Sequence, residues 1–265
     1  MKKKLFCVSD IHNCHADMIR CLNEAGYDEN NENHFLVVLG DCFDRTPNGG
    51  GAVAIYEYLK RLTDENKAIV IRGNHETMFI DYLKGKSITP FNYIYNGTNE
   101  TFADFLHQTA PFETWWALKG NEKYPSNIEF AEWLKEAVNE INTEYPELLS
   151  WLENLPYGGE TKNYIFTHGA IDTNALDWRI ADWERLTWDD GSFWRKEINN
   201  TDKTVVVGHY HTDGIREKYD LEIDESLPAN QILYGKQKIY IDTCTVLTHR
   251  VNVLVIEDEL LWEIK

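Results

Sequence analysis

Six side chains of this 265-residue chain, Asp10, His12, Asp41, Asn74, His168 and His209, are oxygen and imidazole donors of the kind that suit borderline divalent metals. Each follows closely on a short apolar run. Residues 4–8 lead into Ser-Asp10-Ile-His12, 36–39 into Gly40-Asp41-Cys42-Phe43-Asp44-Arg45, and 68–71 into Arg72-Gly73-Asn74-His75-Glu76. Residues 164–166 lead into Thr-His168-Gly169, and 205–207 into Gly208-His209-Tyr210-His211. A strand core has no use for Asp41, Asp44 and Arg45 so close together, since unpaired buried charge is costly. At the C-terminal edge of a strand, facing a crevice, the same residues can hold metal ions and phosphate. Six protein ligands are too many for one catalytic ion with open positions. They fit two ions sharing one carboxylate, for which Asp41 is the candidate. Two divalent ions roughly 3.5–4 Å apart clamp an in-line displacement at phosphorus and make hydroxide available at neutral pH. With only two carboxylates among the donors, such a site stays net positive and attracts phosphate.

The elements that must position these residues alternate. Between the apolar runs, Met18, Cys21, Leu22 and Ala25 recur at helical spacing with Gly26 as the stop. Gly49–Gly51 open a second helix carrying Val53, Tyr56 and Leu59. Strand–helix alternation to about residue 85 reads as an α/β sheet with crossover helices. Ser126 and Glu129 form a capping-box pattern that opens a helix running to about Ile141, and a shorter helix is expected within 146–155. No linker composition bounds the middle of the chain, so 1–265 reads as a single domain with a mostly helical insertion at about 86–145. Residues 213–237 read as polar and irregular, and 238–241 and 251–256 as closing strands.

Composition narrows the partners. Apolar content of 43% and charged content of 26% are those of a soluble globular protein. A formal charge of −18 disfavours extended contact with a nucleic-acid backbone, which needs basic surface. It leaves room for a small phosphorylated substrate, because bound metal inverts the local field. No stretch approaches the roughly 20 apolar residues of a membrane span, and the apolar run after Lys2–Lys4 is too short for a secretion signal. Five cysteines without framework spacing point to a reducing, cytoplasmic setting.

Taken in order, Asp-x-His, Gly-Asp-x-x-Asp-Arg, Gly-Asn-His-Glu, His-Gly and Gly-His resemble the calcineurin-like metallophosphoesterases. Residues 40–45 and 72–76 resemble the phosphoprotein phosphatase branch in particular. Residues 146–156, ahead of His168, are similar to its bacterial members, lambda-type Ser/Thr phosphatases and diadenosine tetraphosphate hydrolases among them. The resemblance spans 4–256 apart from the middle insertion. It implies a four-layer αββα sandwich and two divalent metals, Mn first, with Fe or Zn accepted by the same donors. It further implies Asp10, His12 and Asp41 on one metal and Asp41, Asn74, His168 and His209 on the other. His75 would be a general acid oriented by Asp44, and Arg45 and Arg72 would bind phosphate oxygens. His211 completes a Gly-His-x-His ending that resembles the wider superfamily, where the second histidine is a metal ligand.

The pattern is broken in places. Asn13 and Thr46 stand where that branch has glycine, and Trp188-Asp189-Asp190 replaces a downstream arginine for which Arg195 is the candidate substitute. Cys14 and Cys42, beside the ligands, read as buried packing, and Trp115-Trp116 as the pair to test against substrate. The sequence thus predicts an enzyme, a two-metal phosphoesterase acting on phosphomonoesters, with phosphorylated Ser or Thr of a protein as one substrate class. A dinucleoside polyphosphate hydrolase or phosphodiesterase is the second reading, and a non-catalytic, metal-stabilised interaction module the third.

Overall fold

Alternation along the central strands sorts their side chains into separate apolar layers. In the computed structural model, which describes residues 2–46, 50–86, 89–112, 125–222, 228 and 230–260, strand β1 (Lys2–Val8) turns Phe6 and Val8 to one face and Leu5 and Cys7 to the other. Strand β2 (His34–Val38) does the same with Leu36 and Val38 against Phe35 and Val37. With β3 (Ala68–Val70) and a strand at Leu254–Glu259 they form a four-stranded sheet in which β1 lies between β2 and Leu254–Glu259. The β1–β2 and β2–β3 pairs are parallel, while Leu254–Glu259 runs antiparallel to β1.

A second, five-stranded sheet takes Gly158–Glu160, Tyr164–Thr167, Thr204–Val207, Lys238–Tyr240 and Leu233–Gly235 in that spatial order. Phe166, Val206 and Ile239 point toward the first sheet and pack with Leu5, Cys7, Val37 and Ile71. Ile165, Val205, Val207 and Tyr240 point away, under Leu186, Phe193 and Ile215. On the far side of the first sheet, helices α1 (His15–Glu24), α2 (Ala52–Asp64) and α3 (Asn74–Leu83) bury Met18, Leu22, Ile55, Leu59 and Phe79. The result is helices, sheet, sheet and helices, the four layers that the family resemblance implies. A slip of one residue in any central strand would exchange one layer's side chains for the next, so the pattern fixes register.

Three helices from the expected insertion, α4 (Pro90–Tyr95), α5 (Thr98–Phe105) and Asn127–Glu144, extend the first helical layer. Their Tyr93, Phe102, Phe130 and Ile141 share a cluster with Phe43 and Phe79. The Asn127–Glu144 helix opens on the expected box: the Ser126 hydroxyl accepts from the amide of Glu129, whose carboxylate accepts from that of Ser126. Two expectations shift. The closing strand lies at Leu254–Glu259 rather than 251–256, and 213–237 is not wholly irregular. It holds most of a helix at Thr212–Lys218, anchored by buried Ile215, and a hairpin strand at Leu233–Gly235 closed by Gln237 at φ +57°. Trp115-Trp116 falls outside the described residues. No described helix is long and apolar enough to cross a membrane.

Candidate active site

The strand ends deliver the candidate residues through unusual backbone. Asp10, His12, Asp41, Asp44, Arg45 and His209 all have φ between +49° and +73°. Such left-handed conformations are uncommon outside glycine, cost about 1–3 kcal/mol each and gather at functional sites. Gly40 must be glycine, because a Cβ there would meet the backbone of Gly73 at 2.6 Å and the His168 ring at 2.9 Å.

Asp41 sits at the centre. Its Oδ2 lies 3.2 Å from Nε2 of His168, 3.9 Å from Nε2 of His75 and 4.0 Å from Nε2 of His12. Nε2 of His168 also lies 3.0 Å from Oδ1 of Asn74 and 3.2 Å from Nδ1 of His209. One ring nitrogen can donate to only one of these neighbours, so the group is short of hydrogen and rich in lone pairs. A cation at the point of convergence would satisfy them all. The far nitrogens are already committed: Nδ1 of His12 donates to the Phe43 carbonyl at 2.8 Å and Nδ1 of His168 to that of Leu39 at 2.6 Å. That leaves each Nε2 as the ligating atom, the usual outer-shell arrangement at a metal. Two groupings meet metal-ligand spacing among the described residues: His12, Asp41 and His75, and Asp41, His168 and His209. The donor set therefore fits two ions bridged by Asp41.

Asp10 is buried next to these groups and accepts from the amide of His209 at 3.0 Å and from the hydroxyl of Ser9. Burial and the neighbouring carboxylate of Asp242 raise its pKa well above the usual range. Burial also works against the Asp41 anion, but the three imidazoles outweigh it and hold Asp41 well below that range. Conversely, burial pulls His168 down while the Asp41 carboxylate outweighs it and pushes it up to about 10. His209 is lowered to about 3 by burial and by His168.

Around this cluster stands a support that the motifs alone do not reveal. Both carboxylate oxygens of buried Glu76 are spent on backbone, accepting from the amides of Asp41, Cys42 and Gly73 at 2.8–2.9 Å. Nδ1 of His75 donates to Oδ2 of Asp44 at 2.8 Å, and Nε of Arg45 donates to Nε2 of the same ring at 3.1 Å. Asp44 accepts in addition from the hydroxyls of Thr98 at 3.1 Å and Thr101 at 2.8 Å, both on α5. The inserted helices thus reach the site directly.

Three expected residues stand elsewhere. The guanidinium of Arg72 donates to the carbonyls of Leu152 and Glu153 and to the Tyr157 hydroxyl, over whose ring it lies at 4.6 Å. The negative end of the Leu148–Glu153 helix attracts a cation in the way a phosphate would. His211, like Asp10, lies outside both groupings; it is about half exposed, with Nε2 at 3.7 Å from Asp242, and lines a pocket with His12 and Arg45. Arg195 stacks on Tyr219. Asp242 itself, 1% exposed and beside Asp10, was missed because a lone Asp after an apolar run is common. Cys42 is buried as expected, and burial raises its thiol.

Comparison with known proteins follows the same lines. A family model described as calcineurin-like phosphoesterase matches residues 3–235. The chain is 29% identical over 110 residues to the asymmetrical bis(5′-nucleosyl)-tetraphosphatase PrpE of Bacillus velezensis, covering 39% of this chain and 41% of that protein. It is 32% identical over 79 residues to serine/threonine-protein phosphatase 1 of Salmonella typhimurium, covering 30% and 32%. The matched stretch therefore spans less than half of either relative. Among solved structures, a protein provisionally assigned as a diadenosine tetraphosphatase superposes with a TM-score of 0.55 at 15% identity, covering 98% of this chain and 95% of that one. A serine/threonine phosphatase from Saccharomyces cerevisiae gives 0.53 at 13%, covering 98% and 81%. At such identities the likeness is one of fold.

Proposed function

The chain belongs to the calcineurin-like phosphoesterases, and from that premise we propose that it hydrolyses phosphomonoesters, with phosphorylated Ser or Thr as one substrate class. The supporting observation is the crowding of three imidazole Nε2 atoms around one carboxylate oxygen of Asp41. Asp10, His12 and Asp41 would hold one divalent ion, and Asp41, Asn74, His168 and His209 the other. Mn²⁺ is the first choice, with iron and zinc suited to the same donors. Bound there, the ions supply Lewis-acid polarisation of phosphoryl oxygens and a lowered pKa for water.

The chain's own residues do the rest. Arg45 is the phosphate contact, its planar guanidinium matching phosphoryl oxygens. Turning to phosphate takes its Nε away from His75, whose Nε2 is then left to carry the proton that the leaving oxygen takes. Asp44 fixes the ring through Nδ1. Arg72 braces the 152–157 segment instead of binding phosphate. A non-catalytic, metal-stabilised module would have no use for the His75–Asp44 pair. The helices in 86–145 are an insertion in one domain, and the five unpaired cysteines suit a reducing, cytoplasmic setting.

A second reading, hydrolysis of dinucleoside polyphosphates or another phosphodiester, is favoured by a pocket with apolar walls that shares His12 and Arg45 with the site. An assay panel with added Mn²⁺ separates the readings: p-nitrophenyl phosphate, its bis ester, a phosphoserine peptide and diadenosine tetraphosphate. Predominant monoester turnover supports the first, and cleavage confined to the diester or polyphosphate replaces it with the second.

A further inference from the structure

The pocket beside the site measures about 140 Å³ and shares His12 and Arg45 with it. Its apolar walls come from two distant helices: Ile94 and Tyr95 end α4, and Val246 and Leu247 sit on a single turn at Thr245–Thr248. Non-glycine residues in left-handed backbone, Cys244 at φ +58° and His249 at φ +51°, stand at the two ends of that turn. Such conformations persist only where the surroundings impose them, and they gather at ligand clamps as well as at catalytic centres. On the other wall the Phe91 ring lies on that of Tyr95, centroids 5.4 Å apart and nearly parallel, which braces it.

Two features of this pocket point to its occupant. Tyr95 is 44% and Leu247 66% exposed, whereas His12 is 6% exposed, so these apolar side chains lie toward solvent and the metal-ligand residue at the inner end. A ligand must therefore carry its anionic group inward, to Arg45, and its apolar part between Tyr95 and Leu247. The second feature is size. An apolar cavity of about 150 Å³ takes one benzene ring. Apolar walls alone would admit any flat ring, but this volume leaves out the two fused rings of a purine. The carboxyl oxygens of Glu100, another lining residue, are buried and offer no polar partner to a pyrimidine. A pyrimidine would also stand a ribose away from its phosphate, whereas an aryl ester joins ring to phosphate through one oxygen.

We propose that this pocket holds the ring of an aryl phosphomonoester, phosphotyrosine being the form in which a peptide presents it, and so favours a leaving phenol over the alkyl side chains of phosphoserine and phosphothreonine. The inference rests on the monoester reading and names the leaving group that the site takes. With the phosphate on Arg45, water attacks phosphorus, the P–O bond to the ring breaks, and the phenolate oxygen takes the proton of His75. The net change adds one water and gives a phenol and inorganic phosphate. A phenolate is a weaker base than an alkoxide, so this step asks less of His75 than a seryl ester does. A seryl phosphate, with one methylene beyond its oxygen, leaves the pocket unfilled.

The test measures kcat/KM, with added Mn²⁺, for phenyl phosphate and 1-naphthyl phosphate, and for phosphotyrosine and phosphoserine peptides of one sequence. 1-Naphtholate is the better leaving group, so chemistry alone favours the naphthyl ester and the pocket favours the phenyl ester. Wild type is expected to prefer phenyl phosphate, and to prefer the phosphotyrosine peptide by about 10- to 100-fold, the effect of burying one such ring. Val246→Trp fills the pocket and should lower the phosphotyrosine-to-phosphoserine ratio by about fivefold or more. Equal turnover of the two peptides, a naphthyl ester cleaved as well as the phenyl one, or a ratio unchanged by Val246→Trp overturns the proposal. So does inhibition by uridine 5′-monophosphate tighter than by phenylphosphonate, if Val246→Trp weakens only the nucleotide. Should wild type hydrolyse none of these esters, the monoester reading falls separately, and calorimetric titration with phenylphosphonate and methylphosphonate decides the pocket. Binding of the phenyl compound about tenfold tighter then supports it, and equal binding ends it. The phenyl–naphthyl comparison in wild type stands even if the variant fails to fold.

Discussion

Nδ1 of His75 and Oδ2 of Asp44 lie 2.8 Å apart with both side chains out of contact with water. Nε2 of the same ring lies 3.9 Å from Oδ2 of Asp41, and in the proposed function this pair holds the proton that the leaving oxygen takes. His75→Ala should lower turnover by about 10²–10⁴-fold while leaving bound metal close to wild type. The loss should be greatest for alkyl phosphates, whose leaving oxygen most needs the proton. Variant and wild-type rates that agree on such substrates would remove the acid from the scheme.

The hydroxyl of Thr101 serves both ends of Asp44, donating to its carboxylate at 2.8 Å and accepting from its amide at 3.0 Å. Thr101→Val keeps the shape and removes both bonds together with the one the hydroxyl accepts from Nδ2 of Asn13 at 3.0 Å, at a cost of about 1–3 kcal/mol in stability. The turnover number should fall roughly tenfold, with KM little changed, since the His75 ring loses its orientation and not its phosphate contacts. Thr101→Ser should restore most of it. Kinetics that follow stability alone across the two variants would show that the hydroxyl only supports the fold.

Glu76 gathers three amides that no other acceptor among the described residues serves. Glu76→Ala strands them in the interior, and at about 1–3 kcal/mol per buried group the fold should lose about 3 kcal/mol or more. Urea unfolding reads this directly. Because the amides of Asp41 and Gly73 are among the three, metal affinity should drop with it. An unchanged urea midpoint would mean that water replaces the carboxylate freely.

Glu100 gives a pH signature. Its folded-state pKa is raised to about 8 from the ordinary carboxylate value, so the native state holds a proton that the unfolded chain releases. Stability is unaffected below the unfolded pKa of about 4.3 and falls as pH rises from there to about 8, then levels. Glu100→Gln has no proton to lose. Its unfolding free energy in urea should match wild type near pH 4 and exceed it increasingly up to about pH 8, by on the order of 5 kcal/mol. Parallel pH curves for the two proteins would show that the carboxyl is solvated.

That Asn74, His168 and His209 gather near Asp41 was readable from sequence because each of these donors breaks an apolar run abruptly, and a strand interior tolerates no such residue. The same contrast fixed the sheets: Leu5 against Phe6 and Val37 against Val38 sort into opposite layers by a period of two. Three kinds of feature were out of reach. Thr98 and Thr101 meet Asp44 across more than 50 positions of chain, and nothing about a threonine on a polar helix turn announces such a partner. Arg72 carried the residue type that suits phosphate, but its guanidinium donates to the carbonyls of Leu152 and Glu153, partners about 80 positions away. Glu100 has nothing in its sequence context to set it apart from an exposed helix glutamate; its burial is a tertiary property.

Titration of the metal-free protein with Mn²⁺ puts the shared role of Asp41 to the most direct trial. Two equivalents should bind to wild type, activity should rise with occupancy of both, and Asp41→Asn should weaken both sites together. A single equivalent, no tight binding, or an Asp41→Asn protein that keeps one site at full affinity would contradict a carboxylate held in common by two ions.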